Sequence, residues 1–102
     1  MAQFDIYRFA SRGSGPAFLV DLQSDLLDGL ATRIVAPLYP KRKGDKPILR
    51  LNPQVELDGK SYYLAIQEMS ALRVKSFGET VGSLQDQRAE IVAAIDLLIT
   101  GV

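Results

Sequence analysis

Hydrophobic and polar positions alternate from the start of the chain. Phe4, Ile6 and Arg8 interleave with Asp5, Tyr7 and Phe9, which predicts a strand with one buried face. The run RGSGP, Arg12 to Pro16, has the composition of a turn. AFLVDLQ then predicts a second strand, with Phe18, Val20 and Leu22 on one face, paired to the first. SDLLDG, Ser24 to Gly29, is rich in turn formers but holds two adjacent leucines, one of which is expected to face outward. RIVAPL, Arg33 to Leu38, reads as a further strand, and Pro37 places it at an edge or near its end. Pro40, Gly44 and Pro47 interrupt the pattern and predict an exposed loop. Val55 and Leu57 before Asp58-Gly59, with Tyr62, Leu64 and Ile66 after it, predict a hairpin closed by a tight primed turn. LRVKSF adds one more alternating strand. From Ser83 the period changes. Ser83 is placed to cap a helix with Asp86 in its first turn, and Leu84, Ile91, Ile95, Leu98 and Val102 follow at helical spacing, for about four turns. Strands followed by one helix predict a small, mainly β domain with the helix packed on a sheet or barrel.

The 102 residues fit one domain, 1–102, with 47% hydrophobic and 24% charged residues, enough for a single core without staples. Cysteine and histidine are both absent. That excludes a disulfide framework, a thiolate nucleophile, a His-dependent triad and a His/Cys zinc site. No apolar stretch reaches the ~20 residues needed to cross a bilayer, and MAQFDIYRFA lacks the regions of a signal peptide, so the expected location is cytoplasmic, with no membrane partner. The charges balance overall but not locally. KRKGDKPILR, Lys41 to Arg50, carries five positive charges against one negative, whereas Ser76 to Val102 carries four negative against one positive.

Within the helix, Ile91, Ile95 and Leu98 form the expected core stripe. Val92, Ile99 and Val102 widen it beyond one docking face, which leaves apolar surface for a partner, most simply a homodimer seam. The basic run, with Lys41, Arg42, Lys43, Lys46 and Arg50, suits an acidic peptide segment or DNA phosphates, or is a solvated loop. Only Tyr39 lies near it to stack on a base, which favours the acidic segment. Asp25 and Asp28, three residues apart, read as turn chemistry rather than as a metal or acid/base pair.

Several segments, in order, carry a resemblance over nearly the whole chain: QFDIY, LVDLQSDLLD, RIVAPL, FGETVGSL and the closing IVAAIDLLITGV. Together they resemble the CcdB family of toxins from toxin–antitoxin modules. The resemblance implies a fold that is mainly β with a C-terminal α-helix, an SH3-like barrel of the CcdB/MazF-like toxin type with a small wing sheet, assembled as a homodimer. It implies no catalysis and no cofactor. It implies instead binding to the dimerisation region of the gyrase A subunit, trapping of the gyrase–DNA cleavage complex, and neutralisation by a CcdA-like antitoxin, with operator DNA reached only through the toxin–antitoxin complex. By residue match, the gyrase contacts fall on Leu26, Leu27, Asp96, Ile99, Thr100, Gly101 and Val102, and the basic residues Lys41, Arg42, Lys43 and Lys46 are candidates for the antitoxin.

The tip departs from the family pattern. The better-known gyrase poisons end in Trp-Gly-Ile, whereas this chain has Thr100-Gly101-Val102, with aliphatic Ile99 where Phe is common. Losing an aromatic anchor of that kind costs about 2 kcal/mol or more, roughly thirtyfold in affinity. Two alternatives follow: a homologue that binds antitoxin as a decoy or has another target, and a MazF/Kid-like ribonuclease, for which Arg73 and Glu68 are the nominees.

Overall fold

The computed structural model describes residues 2–10 and 15–102, so Arg12 to Ser14 of the expected first turn lie outside the described residues. Seven antiparallel strands form one sheet: β1 (Asp5–Arg8), β2 (Phe18–Asp21), β3 (Thr32–Pro40), β4 (Gln54–Leu57), β5 (Lys60–Leu64), β6 (Ser70–Arg73) and β7 (Thr80–Ser83). Among the described residues one α-helix, α1 (Arg88–Thr100), follows the strands. The chain is thus mainly β with a carboxyl-terminal helix, its strands curved as an open half-barrel in the order β4-β5-β3-β2-β1-β7, with β6 also paired to β3.

The nine-residue β3 is the axis of the sheet rather than an edge. On one side it pairs with β2, Phe18 opposite Leu38 through Asp21 opposite Val35. On the other it changes partner midway. Thr32–Val35 face β6, and Leu38–Pro40 face β5. Pro37 falls in the interval between those two partners. Ile34 accepts a hydrogen bond from Leu22 N–H, so by antiparallel alternation Pro37 turns its nitrogen away from β2, where no ladder donor is required of it. Its carbonyl is met by Ala65 N–H at 3.0 Å. A proline is therefore tolerated inside the central strand because the strand is forked there.

One face of the sheet carries the core: Phe4, Ile6, Val20, Leu22, Ala36, Leu38, Val55, Leu64 and Ile66, closed by Leu84, Ile91 and Ala94. The expected one-sided burial of β1 does not hold, since Tyr7 is buried as well as Ile6. The segment after β6 crosses the opposite face. Phe77 stacks on Tyr7 with ring centroids 5.3 Å apart, and Gly78 N–H donates to Arg8 O at 2.8 Å. Leu19, Asp21, Arg33 and Val35 are buried as well. LRVKSF is strand only through Arg73 and then a 3₁₀ turn, Val74–Ser76, which starts that crossing.

The β4–β5 hairpin is as the pattern requires, with Leu57 opposite Lys60 and both turn residues, Asp58 and Gly59, at positive φ (52° and 77°). The carboxyl-terminal reading needs correction at its start. Ser83 ends β7, which pairs with β1, and its hydroxyl accepts from Gln85 N–H at the head of a 3₁₀ turn, Gln85–Gln87. The α-helix proper begins only at Arg88. Ile91 and Ala94 are buried and Ile95 and Val92 pack against the core, but Leu98 is 37% exposed rather than interior, because the helix runs past the edge of the sheet. No helix among the described residues is long and apolar enough to cross a membrane.

A methyl group at Gly78 would stand 2.8 Å from Arg8 O. Gly78→Ala should therefore push the crossing segment off β1 and lower stability by about 1–3 kcal/mol, read as a lower urea midpoint with an unchanged m value.

Candidate functional site

The leucine pair is held by a buried arginine. Register sets Asp21 opposite Val35, which makes Arg33, two residues earlier on the same face, a diagonal neighbour of Asp21. Both side chains are completely buried, with Arg33 Nη2 2.6 Å from Asp21 Oδ2 and Arg33 Nε donating to the same oxygen at 2.9 Å. The rest of the guanidinium reaches into the loop that follows β2. Nη1 donates to Asp28 Oδ1 at 2.9 Å, and Nη2 to Gln23 O at 3.1 Å and Asp25 Oδ1 at 3.3 Å. Gln23 completes the cradle, its Oε1 accepting from Ile34 N–H and its Nε2 donating to Leu27 O and Thr32 O.

Burial acts to raise the Asp21 carboxyl, against the hydrogen bonds from Arg33 and Gln23 N–H that favour its ionised form. Burial also opposes the Arg33 charge, but its bonds to Asp21 and Asp25 and the charge of Asp28 outweigh that and hold the guanidinium above the ordinary arginine range. The cradle is therefore a permanent cation ringed by carboxylates. Asp25 and Asp28 are turn residues, as expected, aimed at Arg33.

Between them lies one 3₁₀ turn, Asp25–Leu27, capped by Ser24 Oγ, which accepts from Leu26 N–H. Asp25 and Asp28 each give an oxygen to Arg33 while staying more than half exposed, and the apolar side chains of the turn are exposed beside them. Leu26 is 95% exposed, and Leu27 and Leu30 are each about half exposed. Both leucines of the pair thus face outward, not one, and Leu30 joins them without any local sequence signal.

The other expected contacts sit at the end of α1. Asp96 is exposed, Ile99 is 65% exposed and Val102 82%. The tip is a defined structure: Thr100 Oγ1 donates to Asp96 O at 2.7 Å, and Gly101, at φ +80°, donates its N–H to Leu97 O at 3.0 Å in a left-handed helix cap. Gln3 ties the leucine turn to the head of the helix. Its N–H donates to Asp25 Oδ1, its Nε2 to Leu22 O, and its Oε1 accepts from Arg88 Nη1 at 3.1 Å. The tip then lies roughly 18 Å further along the helix axis. Within the chain the two groups of predicted contacts are joined through α1 but stand at its opposite ends.

Lys41, Arg42, Lys43 and Lys46 lie on an exposed loop, and among the described residues none of them forms an ion pair. Arg42 and Asp45 close a tight turn, Arg42 N–H to Asp45 Oδ2 at 2.8 Å and Asp45 N–H to Arg42 O at 3.0 Å, with Gly44 at φ +91°. Arg42 also borders a cleft of about 580 Å³ walled by Phe18, Tyr39, Tyr62 and Tyr63. Tyr39 OH donates to Glu68 Oε1 at 2.7 Å, and that bond, with burial, pushes the Tyr39 phenol up to about 12. The nominated Arg73 and Glu68 form no ion pair with each other: Arg73 pairs opposite Thr32 at the beginning of β3, whereas Glu68 accepts from Tyr39 OH near its end.

Removing Arg33 alone would leave the buried Asp21 carboxylate unpaired. Arg33→Met should cost about 3–5 kcal/mol in chemical denaturation, and adding Asp21→Asn to it should recover part of that loss, a non-additivity that the cycle closed by the Asp21→Asn single variant reads directly.

Residues 3–101 match the sequence model of the family described as CcdB protein. Among solved structures the fold is similar to an endoribonuclease in complex with its cognate antitoxin from a mycobacterial species, with a TM-score of 0.80 and 13% identity, over 98% of this chain and 95% of that one. At that identity the likeness is one of fold. The family match spans nearly every element described above, including the Asp21–Arg33 cradle, its leucine turn and the terminal helix, and the chain belongs to the CcdB family.

Proposed function

We propose that the protein poisons gyrase by docking, as a homodimer, on the dimerisation region of the gyrase A subunit, and that a CcdA-like antitoxin neutralises it. Membership of the CcdB family indicates a toxin of a toxin–antitoxin module. The observation that carries the finer reading is the exposure of Leu26, Leu27, Ile99 and Val102, four large apolar side chains that the fold presents to solvent on hydrogen-bonded, locally rigid supports. Pre-ordered display lowers the entropy lost on docking. The reading requires no chemistry from the chain itself, and the engagement of Glu68 by Tyr39 OH is in keeping with it. Its place of action is the cytoplasm, and operator DNA is reached through the toxin–antitoxin complex.

A second reading rests on Thr100. Its hydroxyl is spent on Asp96 O, so the tip offers aliphatic surface but neither a ring nor a free donor. A chain with that tip, still bound by antitoxin through the loop at Lys41, Arg42, Lys43 and Lys46, would serve as a decoy.

Plasmid cleavage with purified gyrase separates these readings: poisoning yields linear DNA, ribonuclease action degrades RNA without gyrase, and a decoy does neither yet binds antitoxin. On the first reading Thr100→Trp should tighten gyrase binding by about tenfold or more, and deletion of Gly101 and Val102 should abolish it; equal affinity for the Trp variant and its parent would rule out this account of the tip. Replacement of Lys41, Arg42 and Lys43 by Gln should weaken antitoxin binding, with a smaller loss at high salt. An affinity that stays flat across salt would remove the electrostatic role of the loop.

A further inference from the structure

The leucine turn holds one large apolar side chain to which the residue match gives no role. Leu30 is 52% exposed, as much as Leu27 at 51%. A half-exposed leucine by itself means little, since apolar residues scattered singly are common on the surfaces of soluble proteins. Leu30 is not single. Leu27 N–H donates to Ser24 O at 3.1 Å, Asp28 N–H to Asp25 O at 3.2 Å and Leu30 N–H to Leu27 O at 3.2 Å. This i to i+3 spacing runs one step past the 3₁₀ turn, and at about three residues per turn it brings Leu30 beside Leu27, with the fully displayed Leu26 next to them.

The position of Leu30 is fixed from both sides. Gln23 Nε2 donates to Leu27 O at 3.3 Å and to Thr32 O at 3.4 Å, so a single amide brackets it. Beyond it, Val74 N–H donates to Ala31 O at 3.1 Å, and β3 begins at Thr32. Folding has therefore already ordered this segment before a partner arrives, which lets its apolar area count toward affinity. Gly29 puts no side chain between Leu27 and Leu30, and a Cβ there would meet nothing within 4 Å.

Charge narrows the partner. Asp25 and Asp28 each direct Oδ1 at Arg33, yet their side chains are 56% and 58% exposed. One buried guanidinium stands against three carboxylates, counting Asp21, so the edge of the leucine surface is acidic. Nucleic-acid phosphates and acidic peptides are repelled by such an edge. A protein surface with an apolar slot and basic residues beside it is complementary.

We propose that Leu30 is a further contact residue for the gyrase A subunit: with Leu26 and Leu27 it forms a three-leucine surface, edged by Asp25 and Asp28, that seats in an apolar slot bordered by basic residues. The proposal rests on the docking reading given above and adds to it the chemistry of the partner's slot. It also adds apolar contact to an interface whose tip, Thr100-Gly101-Val102, carries no aromatic ring.

Calorimetric titration of a purified fragment holding the gyrase A dimerisation region into the whole protein tests it. Leu30→Ala should weaken binding about tenfold, and Gly29→Gln, which sets a side chain in the open space between Leu27 and Leu30, by a similar factor, with the Gly29→Gln variant melting at the parent's temperature. Asp28→Asn keeps an oxygen for Arg33, and it should weaken binding and make it less sensitive to added salt. Parent binding that Leu30→Ala leaves unchanged rejects Leu30 as a contact and keeps the docking reading; a parent that does not bind the fragment rejects both. If Leu30→Ala lowers the melting temperature, Gly29→Gln decides alone, and undiminished binding by that variant overturns the proposal. A parent affinity that is independent of salt, or that Asp28→Asn raises, overturns the acidic edge and the slot chemistry drawn from it.

Discussion

The Arg33–Asp21 pair is the constraint on which the exposed leucine turn depends. An arginine with no solvent contact must have its donors met, and here they are met by one buried aspartate and by the loop after β2, through Gln23 O, Asp25 and Asp28. Its desolvation is offset only while that loop keeps its shape. The loop is thus ordered from within, and the same order turns Leu26 to solvent. In this surface turn Asp25 and Asp28 reach Arg33 while staying more than half exposed, and the leucines lie exposed beside them.

The terminal helix divides its work by length. Its first turns are fixed by Gln3, by the Arg88 guanidinium 5.5 Å from the Phe4 ring centroid, and by burial of Ile91 and Ala94. Past Ile95 it overruns the sheet, so Leu98, Ile99 and Val102 have no core to enter. Firm docking at one end and overhang at the other let a short helix serve as both core element and projecting contact. Phe4, buried at φ +72° with its N–H on Asp21 O, links this anchor to the Arg33 cradle, since the same short segment touches both.

The opposite region, around β5 and the basic loop, is built on different physics. There a fork in the sheet, three tyrosines and a strained turn create concavity, and cations that form no ion pair among the described residues set its sign. The exposed apolar turn and the basic cleft are thus two chemically distinct surfaces of one fold.

The sequence by itself determined the elements whose cause is local: the Asp58-Gly59 hairpin from its turn chemistry, the β1–β2 pairing from alternation, the helix from its period, and the exclusion of His and Cys chemistry from composition. The resemblance carried by its segments placed the exposed leucines and the helix tip. What only the tertiary structure decided are the matters that depend on who sits next to whom. Pro37 is interior because β3 changes partner beside it, Tyr7 is buried because Phe77 crosses over it, and Leu98 is exposed because the sheet ends beneath it. SDLLDG reads as turn formers, yet Asp25 and Asp28 meet Arg33, as does Asp21 from the preceding strand, and local patterning places that arginine on an ordinary strand. The tyrosine-walled cleft was illegible for the same reason: Phe18, Tyr39 and Tyr63 are far apart in the chain, and only the unequal lengths of two paired strands bring them around one space.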